Sequence, residues 1–250
     1  MAEIEAADNL ALEDLLKKVD YRALEQEYVP SKFALKFINF IKLVNGDSGE
    51  ENTSPLFHYD LLDSISKYNN NLIVAFRGSA KTSLIEYLFL YLATFGKLDG
   101  FGDVSVAMYV GDTMENGCKN LRNNIEHRYN NSSFLQQFIA KAVFTDTRME
   151  FTNAEGHNLF IKMFGASTGV RGFKAYGQRP VFAAADDLFT DKAAESKTIV
   201  KDIENVMYKA IRQALHPTRR KVVWIGTPFN KKDSLYKAAG TAEWNTKVYP

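Results

Sequence analysis

The segment Ala75-Phe76-Arg77-Gly78-Ser79-Ala80-Lys81-Thr82 follows the apolar run Leu72-Ile73-Val74 and precedes an apolar, helix-favouring stretch, Leu84 to Phe95. A strand, a tight loop ending in lysine and a hydroxyl residue, and then a helix is the setting of a phosphate-binding loop. Backbone N–H groups in such a loop point at phosphate oxygens, and the helix N-terminus adds a favourable dipole. Lys81 would then reach the β- and γ-phosphates of ATP, and the Thr82 hydroxyl would hold Mg²⁺. Arg77, Gly78, Ser79, Ala80 and Ser83 complete the expected nucleotide cradle. The loop departs from G-x-x-x-x-G-K-[ST] at both glycines, which are Ala75 and Ala80 here. Alanine replaces glycine freely only where φ is negative and the ligand clears a methyl group, so the reading calls for negative φ at both positions. A lysine and a threonine opening an ordinary surface helix is the plainer alternative.

A second apolar run, Val181-Phe182-Ala183-Ala184-Ala185, follows Arg179-Pro180 and ends in Asp186-Asp187. A buried strand ending in two carboxylates suits phosphoryl chemistry. One carboxylate orders the Mg²⁺ shell through water, because Mg²⁺ keeps several waters. The other orients or deprotonates the attacking water. Adjacent strand residues point to opposite sides, so Asp186 and Asp187 are expected to take separate roles. Alone, the pair would also serve as a polar turn; about 105 residues beyond Lys81, within one domain length, it gains weight. A third run, Lys221-Val222-Val223-Trp224-Ile225, leads into Gly226-Thr227-Pro228-Phe229. Thr227 at such a strand end can sense a γ-phosphate, while Gly and Pro at this spacing also make an ordinary turn.

In this order, Phe76 to Thr82, Gly169-Val170-Arg171-Gly172, Arg179-Pro180 leading to Asp186-Asp187-Leu188, and Gly226-Thr227-Pro228 resemble the ATPase domain of the large terminase subunit of tailed bacteriophages. The resemblance covers residues 56–240. It implies a genome-packaging motor in the cytoplasm of an infected bacterium. Such a motor is a homo-oligomeric ring, a pentamer in the family, that docks on the portal of a procapsid and drives double-stranded DNA inward using ATP. A small terminase subunit is a further partner. The resemblance places Lys81 and Thr82 on phosphate and Mg²⁺, and Asp186 on the metal. Asp187 stands where many members have glutamate, one methylene longer. Arg77 matches the loop arginine, and Arg171 matches an arginine finger acting on a neighbouring subunit. Thr227 matches the element coupling hydrolysis to movement, and Phe57, ahead of the loop strand, would stack on adenine. An RNase H-like nuclease domain is implied beyond residue 250, so 241–250 is expected to begin a linker and DNA cleavage is not expected from this chain. The isolated domain can stay monomeric.

Composition agrees with an α/β enzyme domain: 46% apolar and 24% charged residues are ordinary globular values. A net charge of +1 carries no global signature of nucleic-acid binding, so DNA contact needs a local patch. Arg219-Arg220-Lys221 and Lys231-Lys232 are candidates, and each would also serve as a solvated charged edge. The one cysteine, Cys118, excludes an internal disulfide and fits a reducing compartment. His58, His127, His157 and His216 have no metal-ligand spacing. The N-terminus lacks the basic and apolar regions of a signal peptide. No apolar stretch approaches the ~20 residues a bilayer needs, so no membrane partner is expected.

Amphipathic spacing predicts helices over 9–20 and 31–44, making an N-terminal helical extension within residues 1–55, with Asn45 to Pro55 as a linker. A further helix is expected from residue 56 through Ile65. A strand is expected at 104–110 and helices at 115–128 and 191–215. Short strands at 144–151 and 159–164 read as an inserted or edge hairpin, and the glycine-rich stretch 165–179 as a mobile loop near the nucleotide. Strands alternating with helices predict a three-layer α/β fold with a mainly parallel sheet, of the RecA/ASCE-like P-loop NTPase type. Ligands of such sheets bind beyond the carboxyl ends of the strands. Two other readings stay open: a helicase-like nucleic-acid translocase, and a non-hydrolysing scaffold with a degenerate loop, which Ala75 and Ala80 would suit.

Overall fold

Strands buried on both faces read as unbroken apolar runs, whereas half-exposed strands alternate. Both kinds occur here. A computed structural model describes residues 28–46, 54–166, 170, 172–189, 196–228 and 233–249. The apolar runs form β1 (Asn70–Ala75), β4 (Val106–Gly111), β8 (Phe182–Asp186) and β9 (Lys221–Gly226). They are the centre of an eight-stranded sheet in the order β10-β1-β9-β8-β4-β7-β6-β5. Strands β10 (Asn245–Tyr249), β1, β9, β8, β4 and β7 (Asn158–Gly165) run parallel. β5 (Ile139–Phe144) and β6 (Arg148–Asn153) add an antiparallel wing. β2 (Lys97–Leu98) and β3 (Gly102–Asp103) pair separately.

Alternate side chains of the parallel strands feed two cores. Ile73, Tyr109, Ala184 and Val223 face one, and Leu72, Met108, Ala185 and Trp224 the other. The first is covered by α1 (Lys32–Asn45), α2 (Leu56–Lys67), α3 (Lys81–Phe95), α4 (Lys119–Asn131) and α5 (Ser133–Phe138). The second is covered by α6 (Lys197–Asn205), a π-helical segment at Val206–Ile211, α7 (Arg212–Ala214) and α8 (Ser234–Ala239). α3 is buried nearly all round, as its apolar sequence requires. It ends at Gly96 (φ 69°), where a Cβ would come within 2.7 Å of the His157 ring. α1 rests on it through Phe37 and Phe40, whose rings lie 5.1 and 5.3 Å from Tyr91.

The three-layer, mainly parallel fold expected from the sequence is the one observed, and several details differ. The helix expected at 9–20 lies outside the described residues. α1, the described part of the expected N-terminal helical extension, packs into the sheet's own core. The segment expected to open a linker at 241–250 contains β10, an edge strand of the same sheet. Its side chains are only half-buried, so it carries no apolar run, and Asp60 of α2 holds it by accepting from Lys247 (2.9 Å) and Tyr249 (2.7 Å). The strand expected at 144–151 straddles a turn, in which the Thr145 hydroxyl accepts from the Arg148 N–H (3.2 Å). β7 pairs with β4 and so belongs to the main sheet.

Lys221 departs furthest from expectation. It is fully buried and cannot join a DNA-facing patch. Its ammonium donates to the carbonyls of Ile65, Ser66 and Tyr68, closing the C-terminal end of α2, where helix carbonyls lack intrahelical partners. Burial pushes its pKa down to about 8. Lys231 and Lys232 lie outside the described residues. Lys221→Ala would take this donor from the Ile65 and Ser66 carbonyls, while Tyr68 keeps the Asn71 amide (2.8 Å), and the expected loss is about 2–4 kcal/mol in urea unfolding. A loss below ~0.5 kcal/mol would show that water replaces the ammonium.

Candidate active site

The carboxyl ends of β1, β9, β8 and β4 lie side by side, because Val74 is in register with Gly226, Ile225 with Asp186, and Ala185 with Val110. β1 ends at Ala75, and the chain turns through Phe76 to Ser79, closed by the Ser79 N–H on the Phe76 carbonyl (3.3 Å). Gly78 sits at φ 86°, and α3 begins at Lys81. Ala75 keeps strand conformation. Ala80 does not meet the expectation of negative φ: it is left-handed, at φ 56° and ψ 24°. For a residue with a Cβ this costs about 1–2 kcal/mol, which glycine would avoid. The loop geometry overrides the residue's preference.

Lys81 is buried and pairs with the Asp187 carboxylate at 3.2 Å. The other Asp187 oxygen accepts the Thr227 N–H (3.1 Å), and the Thr227 hydroxyl donates to the Ala75 carbonyl (3.0 Å). Four positions expected in the site, Lys81, Asp187, Thr227 and the start of the loop, are therefore bonded in one chain. Gly226 lies close by: a Cβ there would touch Asp187 Oδ1 at 3.4 Å and crowd Leu235 slightly at 3.3 Å. Asp187 is itself left-handed (φ 40°), a conformation aspartate tolerates better than most residues.

Asp186 has a different environment, as separate roles require. It is buried, hydrogen-bonds with Thr82, and its Oδ1 has no hydrogen-bond partner. Burial first, and the Asp187 charge second, push its carboxyl up to about 7, while Thr82 and Lys81 pull the other way. The Ser79 hydroxyl is likewise buried without a partner.

Arg77, Thr82, Asp186, Asp187 and Thr227 line one cavity of about 430 Å³. Its far wall was not anticipated. That wall comes from Tyr109 of β4, Asp112 just after it, Asn116 of the π-helical segment Met114–Cys118, and Asn120 at the start of α4. Asp112 Oδ1 accepts from the N–H groups of Thr113 (2.6 Å) and Gly117 (2.8 Å), which shapes the turn. A strand ending in Gly111-Asp112 before a helix is the signal that could have located this wall. Ser83 is half-buried and Phe57 packs 5.1 Å from Tyr249 and 6.2 Å from Phe76; neither lines the cavity. Arg171 lies outside the described residues, between buried Val170 and Gly172 (φ 74°). The described part of the 165–179 loop packs on β7, with Phe173 5.9 Å and Tyr176 5.7 Å from Phe160.

No protein-family model matches the sequence, and no curated protein matches it. Solved structures do. The Thermus phage P74-26 large terminase ATPase domain superposes with a TM-score of 0.50 at 11% identity, covering 81% of this chain and 71% of that one. The HK97 bacteriophage large terminase superposes with a TM-score of 0.57 at 14% identity, covering 86% of this chain and 43% of that one. The chain thus has the fold of the large terminase ATPase domain.

The raised Asp186 carboxyl sets a pH dependence. An unfolded aspartate ionises near 3.9, so from about pH 4 to about pH 7 the folded chain keeps a proton the unfolded chain has lost. Asp186 therefore makes stability fall as pH rises through that window, with no further effect above it. Thermal unfolding of the wild type and Asp186→Asn over this range should show a steeper fall in the wild type. Parallel curves would assign the slope to other groups.

Proposed function

We propose that this chain is the ATP-hydrolysing motor domain of a viral DNA-packaging terminase, coupling Mg²⁺-dependent ATP hydrolysis to translocation of double-stranded DNA into a procapsid. The bonded series Lys81–Asp187–Thr227–Ala75 carries the reading. It links a phosphate-loop lysine, a strand-end carboxylate and a candidate γ-phosphate sensor at the carboxyl edge of a sheet with the terminase ATPase fold.

The loop from Phe76 to Thr82 would cradle the phosphates of ATP with its backbone N–H groups, and Arg77 at the cavity rim would add charge. The Lys81 ammonium has three donors, of which Asp187 takes one at 3.2 Å, so turning toward the phosphates of ATP would loosen its hold on Asp187 and leave that carboxylate freer. Asp187 can then orient an attacking water, and its hold on the Thr227 N–H changes in the same step. The residues present fit Mg²⁺. The Thr82 hydroxyl meets Asp186, and the unpartnered Asp186 Oδ1 is the hard oxygen that such a cation would satisfy. Among the described residues no three His, Cys, Asp or Glu side chains converge on a metal site. When bound, Mg²⁺ would neutralise charge on the β- and γ-phosphates.

The glycine-flanked position of Arg171 supports a finger that reaches a neighbouring subunit in a homo-oligomeric ring, a pentamer on the terminase pattern. The portal, the procapsid and a small terminase subunit are the partners this reading supplies, with the host cytoplasm as location. A nuclease activity would belong to a further domain. Among the described residues no helix is long and apolar enough to cross a membrane. The left-handed Ala80 favours one competing reading, a scaffold that binds nucleotide poorly and does not hydrolyse it. Measured ATP turnover separates the two.

Lys81→Ala should leave the fold intact and remove most ATP hydrolysis, because a charge aimed at the β- and γ-phosphates is lost. Normal turnover in the folded variant would refute the loop assignment. An arginine supplied in trans can be worth 10³–10⁵ in rate, so wild-type activity should rise more than linearly with protein concentration as subunits assemble. Mixing Arg171→Ala with Lys81→Ala should restore part of that activity at shared interfaces, where one subunit keeps its pocket and the other its finger. If mixing restores nothing while wild-type subunits assemble and hydrolyse, Arg171 acts within its own subunit.

A further inference from the structure

The left-handed Ala80 needs an explanation, because the chain has a simple route to relax it. Rotating the Ser79–Ala80 peptide plane through about half a turn changes ψ of Ser79 and φ of Ala80 together. It would carry Ala80 to negative φ with its ψ of 24° kept, on the bridge side of the map, where a Cβ is less hindered than in the left-handed region. A trans peptide holds its N–H opposite its carbonyl, so the same rotation would turn the Ala80 N–H away from its original side. In a phosphate loop that N–H is one of the donors a phosphate needs. The strain and the function therefore pull this peptide in opposite directions.

One side chain outside the loop grips this peptide. His58, buried on α2, places its Nε2 2.8 Å from the Ser79 carbonyl. A carbonyl can only accept, so Nε2 carries the hydrogen. α2 is a firm support. Its Asp60 accepts from Lys247 and Tyr249 of β10, its Ser64 donates to Asn71 of β1 (2.9 Å), and Lys221 closes its end.

We infer that His58 is a positioning residue for nucleotide binding: by holding the Ser79 carbonyl toward α2 it keeps the Ser79–Ala80 peptide oriented with the Ala80 N–H facing away from α2, which compensates for alanine at a position suited to glycine. The inference rests on the nucleotide reading of the loop. It assigns His58 no contact with substrate. It also explains how a loop lacking its second glycine can retain phosphate-binding geometry.

The test is a double-mutant cycle between His58 and Ala80, read by calorimetric titration of the whole chain with ADP and Mg²⁺. His58→Leu fills the imidazole space without a donor and should weaken ADP binding roughly tenfold, the effect of one lost buried hydrogen bond with its strain. His58→Gln keeps an N–H at similar reach and should stay within about threefold of wild type. In an Ala80→Gly background, where positive φ is free, His58→Leu should cost less than about threefold. A simple packing role for His58 would give the same loss in both backgrounds, and that result overturns the inference, as does full ADP affinity in folded His58→Leu. If His58→Leu does not fold, His58→Met carries the same comparison. A wild-type chain that binds no ADP would instead refute the nucleotide reading on which the inference stands.

Discussion

Asp187 joins three segments that are distant in the chain. One oxygen holds Lys81 at the start of α3, the other holds the Thr227 N–H after β9, and its own N–H donates to the Ile225 carbonyl (3.1 Å). The contacts exist because β1, β9 and β8 are adjacent and parallel, which brings their carboxyl ends to one edge. Two packed cores hold the strands in that order. The site is therefore a consequence of strand order, and a change in strand order would disperse it. Asp186, one residue earlier, faces the buried side and meets Thr82, so two adjacent carboxylates have different environments.

Backbone strain is concentrated at the same edge. Of the three non-glycine residues at positive φ among the described residues, Ala80 and Asp187 are in the site. Such residues persist when surrounding contacts over-determine them. At Asp187 those contacts are the Lys81 pair and the backbone bonds to β9. At Ala80 they include the α3 start, where the Leu84 N–H reaches the Ala80 carbonyl (3.0 Å), and the neighbouring Ser79 carbonyl near His58. Rigid support behind a strained loop fits a site whose ligand must find its donors already aimed.

Much of this was legible in the sequence because it is carried by local pattern. Apolar runs leading into the loop before Lys81-Thr82, into Asp186-Asp187 and into Gly226-Thr227 announce both the parallel sheet and the edge that bears the site. What escaped depends on partners distant in sequence. The far wall of the cavity comes from the stretch between β4 and α4 and the start of α4, where Asp112 and Asn120 carry no motif. Lys221 looks like part of a basic cluster, and only the fold turns it inward onto the end of α2. β10 is half-buried at a sheet edge, so it lacks the apolar run by which the inner strands are recognised. Ala80 shows the limit of propensity: the residue prefers negative φ, and the loop imposes the opposite.

On the proposed function, the cavity lined by Asp186 and Asp187 receives the phosphates of ATP. A crystal structure with ADP, Mg²⁺ and a fluoroaluminate mimic of the γ-phosphate tests it most directly. Phosphates are expected within the Phe76–Thr82 loop, a cation beside Thr82 and Asp186, and Lys81 turned from Asp187 onto the phosphates. Nucleotide bound elsewhere, with the Lys81–Asp187 pair still at its present 3.2 Å, would contradict it.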